Sequence, residues 1–251
     1  MFATEIVALV PTDPHVGRVL GVKVSGLRRT ETVDYVLDLV ESGESHQVCT
    51  AHAVGLYMAS HDPELAEIYN GSSLVTCDSE GVRWALQRTG HPVEKVPGID
   101  LVERLCEVSA EKGTRLFFFG SKPGIALDAA EKMREKYPGV VIIGGLDGYQ
   151  PADTLSKRLQ EIKAQGVDIL LIGMGVPLQE RVAQEAQRWG IAAVSIGVGG
   201  TFDVLSGHVK RAPRWMQQAH LEWLWRMLVD LRKAKRVAVL PLFALKVLLS
   251  K

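Results

Sequence analysis

Seven short apolar runs, separated by stretches long enough for an amphipathic helix, constrain the fold of this chain more than any other feature. The runs are 19–24, 47–50, 74–77, 115–119, 140–143, 169–172 and 193–196. Most are apolar at nearly every position rather than at every second one, which is the pattern of strands covered on both faces. Helical spacing fills the intervals 32–40, 80–87, 101–111, 124–136, 154–164 and 179–189. Such alternation predicts an α/β fold, a Rossmann-like, mostly parallel sheet sandwiched by helices. A chain of 251 residues, 47% of them hydrophobic, has ample material for one such core. Its three cysteines, Cys49, Cys77 and Cys106, offer neither a disulfide framework nor a CxxC metal spacing. They read as buried thiols in a reducing compartment.

The pattern divides the chain into an N-terminal extension (1–18), an α/β domain (19–208) and a helical, basic appendage (209–251). A long helix is expected from Arg214 to about Arg236, with Pro213 fitting its start. Formal charge is zero overall, with 29 basic and 29 acidic residues, so the whole chain gives no reason to expect nucleic acid. From residue 210 onward, however, ten Lys or Arg face only Glu222 and Asp230. The same tail holds Trp215, Trp223, Trp225 and several leucines. Basic residues beside Trp and Leu suit an anionic membrane surface, and burial in a dimer or trimer is the competing use of such a face. No apolar run reaches the ~18–20 residues that span a bilayer. The longest, 237–249, is shorter and carries Pro241 and Lys246. Glu5, Pro11 and Asp13 interrupt any signal-peptide core. The expectation is a cytoplasmic protein, peripheral on the inner face of the membrane.

Ligands of open parallel sheets bind beyond the carboxyl ends of the strands. Small and polar residues follow the predicted strands here: Thr50 and His52, Asp78, Gly120-Ser121, Gly148-Tyr149, Gly173-Met174-Gly175, and the turn 197–203 with Gly199 and Asp203. Glycines at strand–helix junctions let a phosphate approach backbone N–H groups, although α/β proteins also turn with glycine for purely structural reasons. Neither GxGxxG after the first strand nor GxxxxGK[ST] is present, so dinucleotide oxidoreductases and P-loop NTPases lack their signatures. No Asp-x-Asp or HExxH spacing marks a metal site. Asp78 can serve as a general base or as the N-cap of the helix opening at Glu80. His52 is either structural or a substrate contact.

These residues also carry a resemblance. Asp78-Ser79-Glu80-Gly81, 96–101 (Val-Pro-Gly-Ile-Asp-Leu), Gly148-Tyr149, 173–180 (Gly-Met-Gly-Val-Pro-Leu-Gln-Glu), 197–203 (Gly-Val-Gly-Gly-Thr-Phe-Asp) and 211–216 (Arg-Ala-Pro-Arg-Trp-Met) occur in order. In that order they resemble the WecG/TagA/CpsF family of bacterial glycosyltransferases. The resemblance implies an inverting, metal-independent enzyme needing no cofactor. Its donor would be a UDP-sugar carrying N-acetylmannosamine, its uronic acid or a related hexose. Its acceptor would be a sugar on a polyprenyl diphosphate, in cell-envelope polysaccharide synthesis. By position, Asp78 would be the base with Thr50 beside it. Gly-rich turns near Gly173 and Gly199 would offer N–H donors, and Gln179 and Asp203 would hydrogen-bond the donor. His52 and Tyr149 would line the pocket, and Lys95, Arg211 and Arg214 would meet the charge on departing UDP. His52, Ser79 and Lys95 depart from the family's usual Asn, Gly and Arg. A non-catalytic nucleotide- or lipid-binding assembly protein is the alternative reading.

Overall fold

The computed structural model describes residues 13–149, 151–219, 221–222, 224–225 and 238–250. Its strands follow the apolar runs. Strands β3 (His46–Ala51), β4 (Leu74–Cys77), β5 (Leu116–Gly120), β6 (Ile142–Leu146), β7 (Val167–Gly173) and β8 (Ala192–Gly197) form one sheet in the order β4-β3-β8-β7-β5-β6. Every neighbouring pair in it is parallel.

The continuous apolarity of these strands has a direct use. Alternate residues feed two cores. Val48, Leu74, Phe118, Leu171 and Ile196 face one helix layer: α1 (Arg29–Glu41), α5 (Gly98–Lys112), α6 (Ile125–Lys136) and the short α9 (Thr201–Leu205). Cys49, Ala51, Val75 and Cys77 face the opposite layer, where α2 (Ala53–Ala59), α3 (Pro63–Gly71) and α4 (Glu80–Arg88) pack. Phe117, Phe119, Leu170 and Ile172 extend that second layer under α7 (Ala152–Lys163) and α8 (Leu178–Arg188). The predicted sandwich is therefore present.

Three expectations need correction. The run 19–24 is not one strand but the tip of an antiparallel hairpin, β1 (His15–Val19) with β2 (Val22–Ser25), separate from the main sheet. Leu20 (φ 50°) and Gly21 (φ 88°) both take left-handed conformations, which makes a two-residue turn. The apolar Leu20 hides that turn from a hydropathy reading. Strand β6 lies two residues later than expected and runs through Gly144 and Gly145. A Cβ at Gly144 would strike Phe117 at 2.8 Å, and one at Gly145 would meet the α6 backbone at 3.0 Å. Glycine there serves close packing, not a loop. Helices α2 and α3 were not foreseen, although Asp62 accepts from Leu65 N–H as the N-cap of α3 with Pro63 at its first position.

The expected helix from Arg214 to about Arg236 starts as α10 (Arg214–Gln218) and then breaks, with Leu221 N–H bonded to Met216 O. Residues 220, 223 and 226–237, which carry most of that expectation, lie outside the described residues, as do 1–12 of the expected extension. Strand β1 starts within that extension. The last helix, α11 (Val239–Leu249), returns to the sheet domain. Its Phe243 and Val247 are buried with α2 and α4, and Lys246 Nζ donates to Ser60 O (3.2 Å) and meets Ser60 Oγ at 2.8 Å. Among the described residues no helix is long and apolar enough to cross a membrane.

Candidate active site

Asp78 leaves the end of β4 at the carboxyl edge of the sheet. Its N–H donates to Ala51 O (3.0 Å), continuing the β3–β4 pairing one step past the strands. The N-cap position of α4, which the sequence left open to Asp78, is held by Ser79. Asp78 Oδ1 accepts from Gly98 N–H (2.7 Å), the first residue of α5. The segment between them is folded back on β4, with Val96 N–H on Cys77 O (2.7 Å). The carboxylate is thus aimed by a helix N-terminus and remains half-buried.

Thr50, buried at the end of β3, donates its hydroxyl to Gly197 O (2.7 Å). A Cβ added to Gly98 would lie 3.6 Å from both Thr50 Oγ1 and Thr201 Oγ1. Asp78, Thr50, Gly98 and Thr201 therefore converge where β3, β4 and β8 end. Two departures from the family pattern have local roles here. His52 Nδ1 accepts from Gly55 N–H (3.2 Å) as the N-cap of α2, a part that Asn also plays. Ser79 Oγ accepts from Ala53 N–H (3.1 Å), which ties the exits of β3 and β4 together.

The loops after β7 and β8 are joined by one side chain. Gln179 is 1% exposed. Its Oε1 accepts from both Gly175 N–H (3.0 Å) and Gly199 N–H (2.8 Å), while Nε2 donates to Glu180 Oε1 (3.0 Å). In this state Gln179 serves the loops, and the Gly199 N–H is already engaged. Gly173 is a packing position: a Cβ there would strike Phe202 at 2.6 Å. Phe202 in turn stacks on Phe118 with ring centroids 4.8 Å apart. Asp203, half-buried on α9, has no side-chain hydrogen bond or ion pair among the described residues. Tyr149 is 57% exposed, and its hydroxyl donates to Met174 O (3.2 Å) at the mouth of β6 and β7.

Sequence reasoning passed over Glu180, quoting it only as part of a motif. Its carboxyl is buried, and burial pushes it up to about 7 against the hydrogen bonds from Gln179 and Tyr69. Tyr69 is itself pushed up, first by burial and then by Glu180.

Beside the N-terminus of α5 lies a cleft of about 230 Å³ lined by Arg29, Lys95, Asp100, Arg211, Gln217 and Glu222, with Pro97 at its base. Lys95 pairs with Glu222 (2.9 Å), and Asp100 receives Arg211 (2.6 Å) and Arg29 (3.4 Å). Two expected cations thus share one cleft, next to the Asp78 partner Gly98, and each already has a carboxylate. Arg214, at the start of α10, is exposed and makes no ion pair among the described residues. A larger groove, about 650 Å³, lies by the C-terminal ends of α7 and α8, opposite this edge, and no candidate residue lines it. Among the described residues no group of three or more His, Cys, Asp or Glu could hold a metal ion.

A family model described as "Glycosyl transferase WecG/TagA/CpsF family" matches residues 17–251. One similar protein is an N-acetylglucosaminyldiphosphoundecaprenol N-acetyl-beta-D-mannosaminyltransferase of Bacillus subtilis (strain 168). It is 30% identical over 230 residues, covering 87% of this chain and 86% of the relative. The equally named protein of Bacillus spizizenii is 29% identical over 202 residues, covering 80% of this chain and 78% of that one.

Proposed function

The chain belongs to the WecG/TagA/CpsF family of glycosyltransferases, and from that membership and the arrangement around Asp78 we propose that it moves a sugar from a UDP-sugar to a sugar on a polyprenyl diphosphate. The named relatives act on an N-acetylglucosaminyl diphosphoundecaprenol and transfer N-acetylmannosamine. N-acetylmannosamine, its uronic acid or a related hexose is the donor sugar in this reading. The observation that carries it is the position of Asp78: a half-buried carboxylate at the carboxyl edge of a parallel sheet, oriented by the N-terminus of α5.

In the proposed step the acceptor hydroxyl attacks the anomeric carbon from the face opposite UDP. Its proton passes to Asp78, the new C–O bond forms, and the bond to UDP breaks with its electron pair on the departing phosphate. Inversion follows from this single displacement. Charge developing on the diphosphate is met by Arg214 and by Lys95 and Arg211 at the rim of the cleft. Asp203, whose carboxylate has no partner among the described residues, would accept from sugar hydroxyls, and Tyr149 presents an exposed ring at the same edge. Incubation with UDP-N-acetylmannosamine and a prenyl-diphosphate-linked N-acetylglucosamine tests the reading. We expect UDP release and a product heavier by one N-acetylhexosamine; a screen of UDP-hexoses and uronic acids in which none yields a glycosylated lipid refutes it.

We also place the protein on the inner face of the membrane, where its lipid-linked acceptor would lie. Helix α11 supports this. Phe243, Lys246 and Val247 anchor one face to the sheet domain, and Leu242, Leu245, Leu248 and Leu249 form an exposed stripe on the other. Trp215 is 63% exposed, and the surrounding segment is basic. Such a face gains from apolar burial and from about 1 kcal/mol per basic residue near anionic lipid. The double change Leu245→Asp and Leu248→Asp should abolish co-sedimentation with phosphatidylglycerol vesicles while leaving the thermal midpoint unchanged. Wild-type partitioning of that variant counts against docking through α11.

A further inference from the structure

We infer that Glu180 is a positioning residue of the donor-binding edge: it directs the Gln179 amide so that its oxygen clamps the loops after β7 and β8. The inference rests on the transferase reading above and adds a residue to its machinery.

Three observations point to Glu180. First, it is almost wholly inside the protein, 1% exposed, and its Oε2 has no hydrogen-bond partner among the described residues. A carboxyl group buried this way opposes folding, and an apolar side chain of similar volume is often neutral or stabilising in such a place. Its presence is therefore not explained by stability.

Second, what Glu180 does accomplish is directional. Oε1 accepts from Gln179 Nε2 (3.0 Å) and Tyr69 Oη (3.4 Å). A primary amide can face either way. With Nε2 held by Glu180, Oε1 must point at Gly175 N–H and Gly199 N–H, which it meets at 3.0 and 2.8 Å. The reversed amide would set a donor against two donors. Gly197 completes the fit, since a Cβ there would lie 2.8 Å from Gln179 Nε2.

Third, the network reaches the Asp78 side of the edge. A Cβ on Gly55 would sit 2.6 Å from Tyr69 Oη and 3.6 Å from His52 Cε1. Gln47 of β3 donates to Glu180 O (2.9 Å). The buried carboxyl thus ties the loops after β7 and β8, through Gln179, to Tyr69 of α3 beside the first turn of α2, while the Glu180 backbone carbonyl receives Gln47 near the start of β3.

The test compares Glu180→Met, which removes the acceptor, with Glu180→Gln, which keeps an oxygen for Gln179. Hydrogen exchange of the Gly175 and Gly199 amides reads the clamp independently of activity. In Glu180→Met both amides should exchange at least roughly tenfold faster, with global stability unchanged or higher. Transfer by that variant should fall about 10²-fold in kcat/KM, the scale of a small misplacement in a preorganised site. Glu180→Gln should restore protection of both amides and most of the activity. Unchanged protection in Glu180→Met overturns the inference whatever the activity does. So does a loss of activity that merely tracks a loss of stability and that Glu180→Gln fails to rescue. Should Glu180→Met fold poorly, Glu180→Leu is the second apolar replacement. Absence of transfer by the wild-type protein would instead count against the transferase reading, and the exchange experiment would still judge the clamp.

Discussion

Asp78→Asn is expected to lower kcat for sugar transfer by about 10²–10⁴-fold, the usual contribution of a positioned general base. The substitution is chosen for what it preserves. Asn presents an oxygen at the same place, so the bond from Gly98 N–H can persist and the N-terminus of α5 keeps its partner. The backbone bond from Asp78 N–H to Ala51 O is untouched. Folding stability should therefore change little, and KM for the donor should stay within a few-fold, because Asn removes proton acceptance and not the pocket. A structural role alone predicts the reverse pattern: an Asn variant that turns over normally, alongside Asp78→Ala that loses stability because the first turn of α5 has lost its acceptor. Measuring kcat, KM and a urea midpoint on both variants separates the two. An Asn variant within tenfold of wild type removes Asp78 from the chemistry.

The second large effect concerns stability and pH. Glu180 titrates near 7 in the folded chain against 4.5 when unfolded, because burial penalises its charged form. Between those values the folded state binds the proton more tightly, so stability falls as pH rises through that window. Below about pH 4.5 the penalty is absent, and above about pH 7 it is fully present. A shift of that size corresponds to about 3 kcal/mol, or roughly a hundredfold in the folding equilibrium. Glu180→Gln removes the titration. Its stability relative to wild type should rise by about that amount between pH 4.5 and pH 8 in urea unfolding. Other titrating groups, such as His15 and His46, are common to both proteins and cancel in the difference. Parallel stability curves for the two proteins across this range would show that Glu180 keeps an ordinary carboxyl. In the proposed reading the buried carboxyl opposes stability while it orients the Gln179 clamp, a trade common at functional sites.

Residues that carry local signals were legible before any coordinates. Leu74–Cys77 followed by Asp78 announced a strand end with an acid on it, and the structure places that acid at the carboxyl edge of the sheet. The order of motifs from 78 to 216 announced the family, which the match over residues 17–251 bears out. Hidden features were those whose cue was masked or absent. Leu20 concealed the hairpin turn, Gly144 and Gly145 looked like a loop because their reason lies in Phe117 and α6, and Glu180 stood only as the last residue of a motif because its partner Tyr69 is 111 residues away in the chain.

By itself the sequence determined the alternating parallel architecture, since unbroken apolar runs separated by amphipathic stretches bury their surface best as a sheet between helices. It also determined which chemical groups stand at strand ends. Only the tertiary structure decided how those groups are used. Asp78 meets Gly98, Lys95 meets Glu222, and Tyr69 and Gln179 meet Glu180 through contacts spanning up to 127 residues of chain. Hydrophobic periodicity sets each element from nearest neighbours, whereas a hydrogen bond forms only where folding has brought donor and acceptor within about 3 Å.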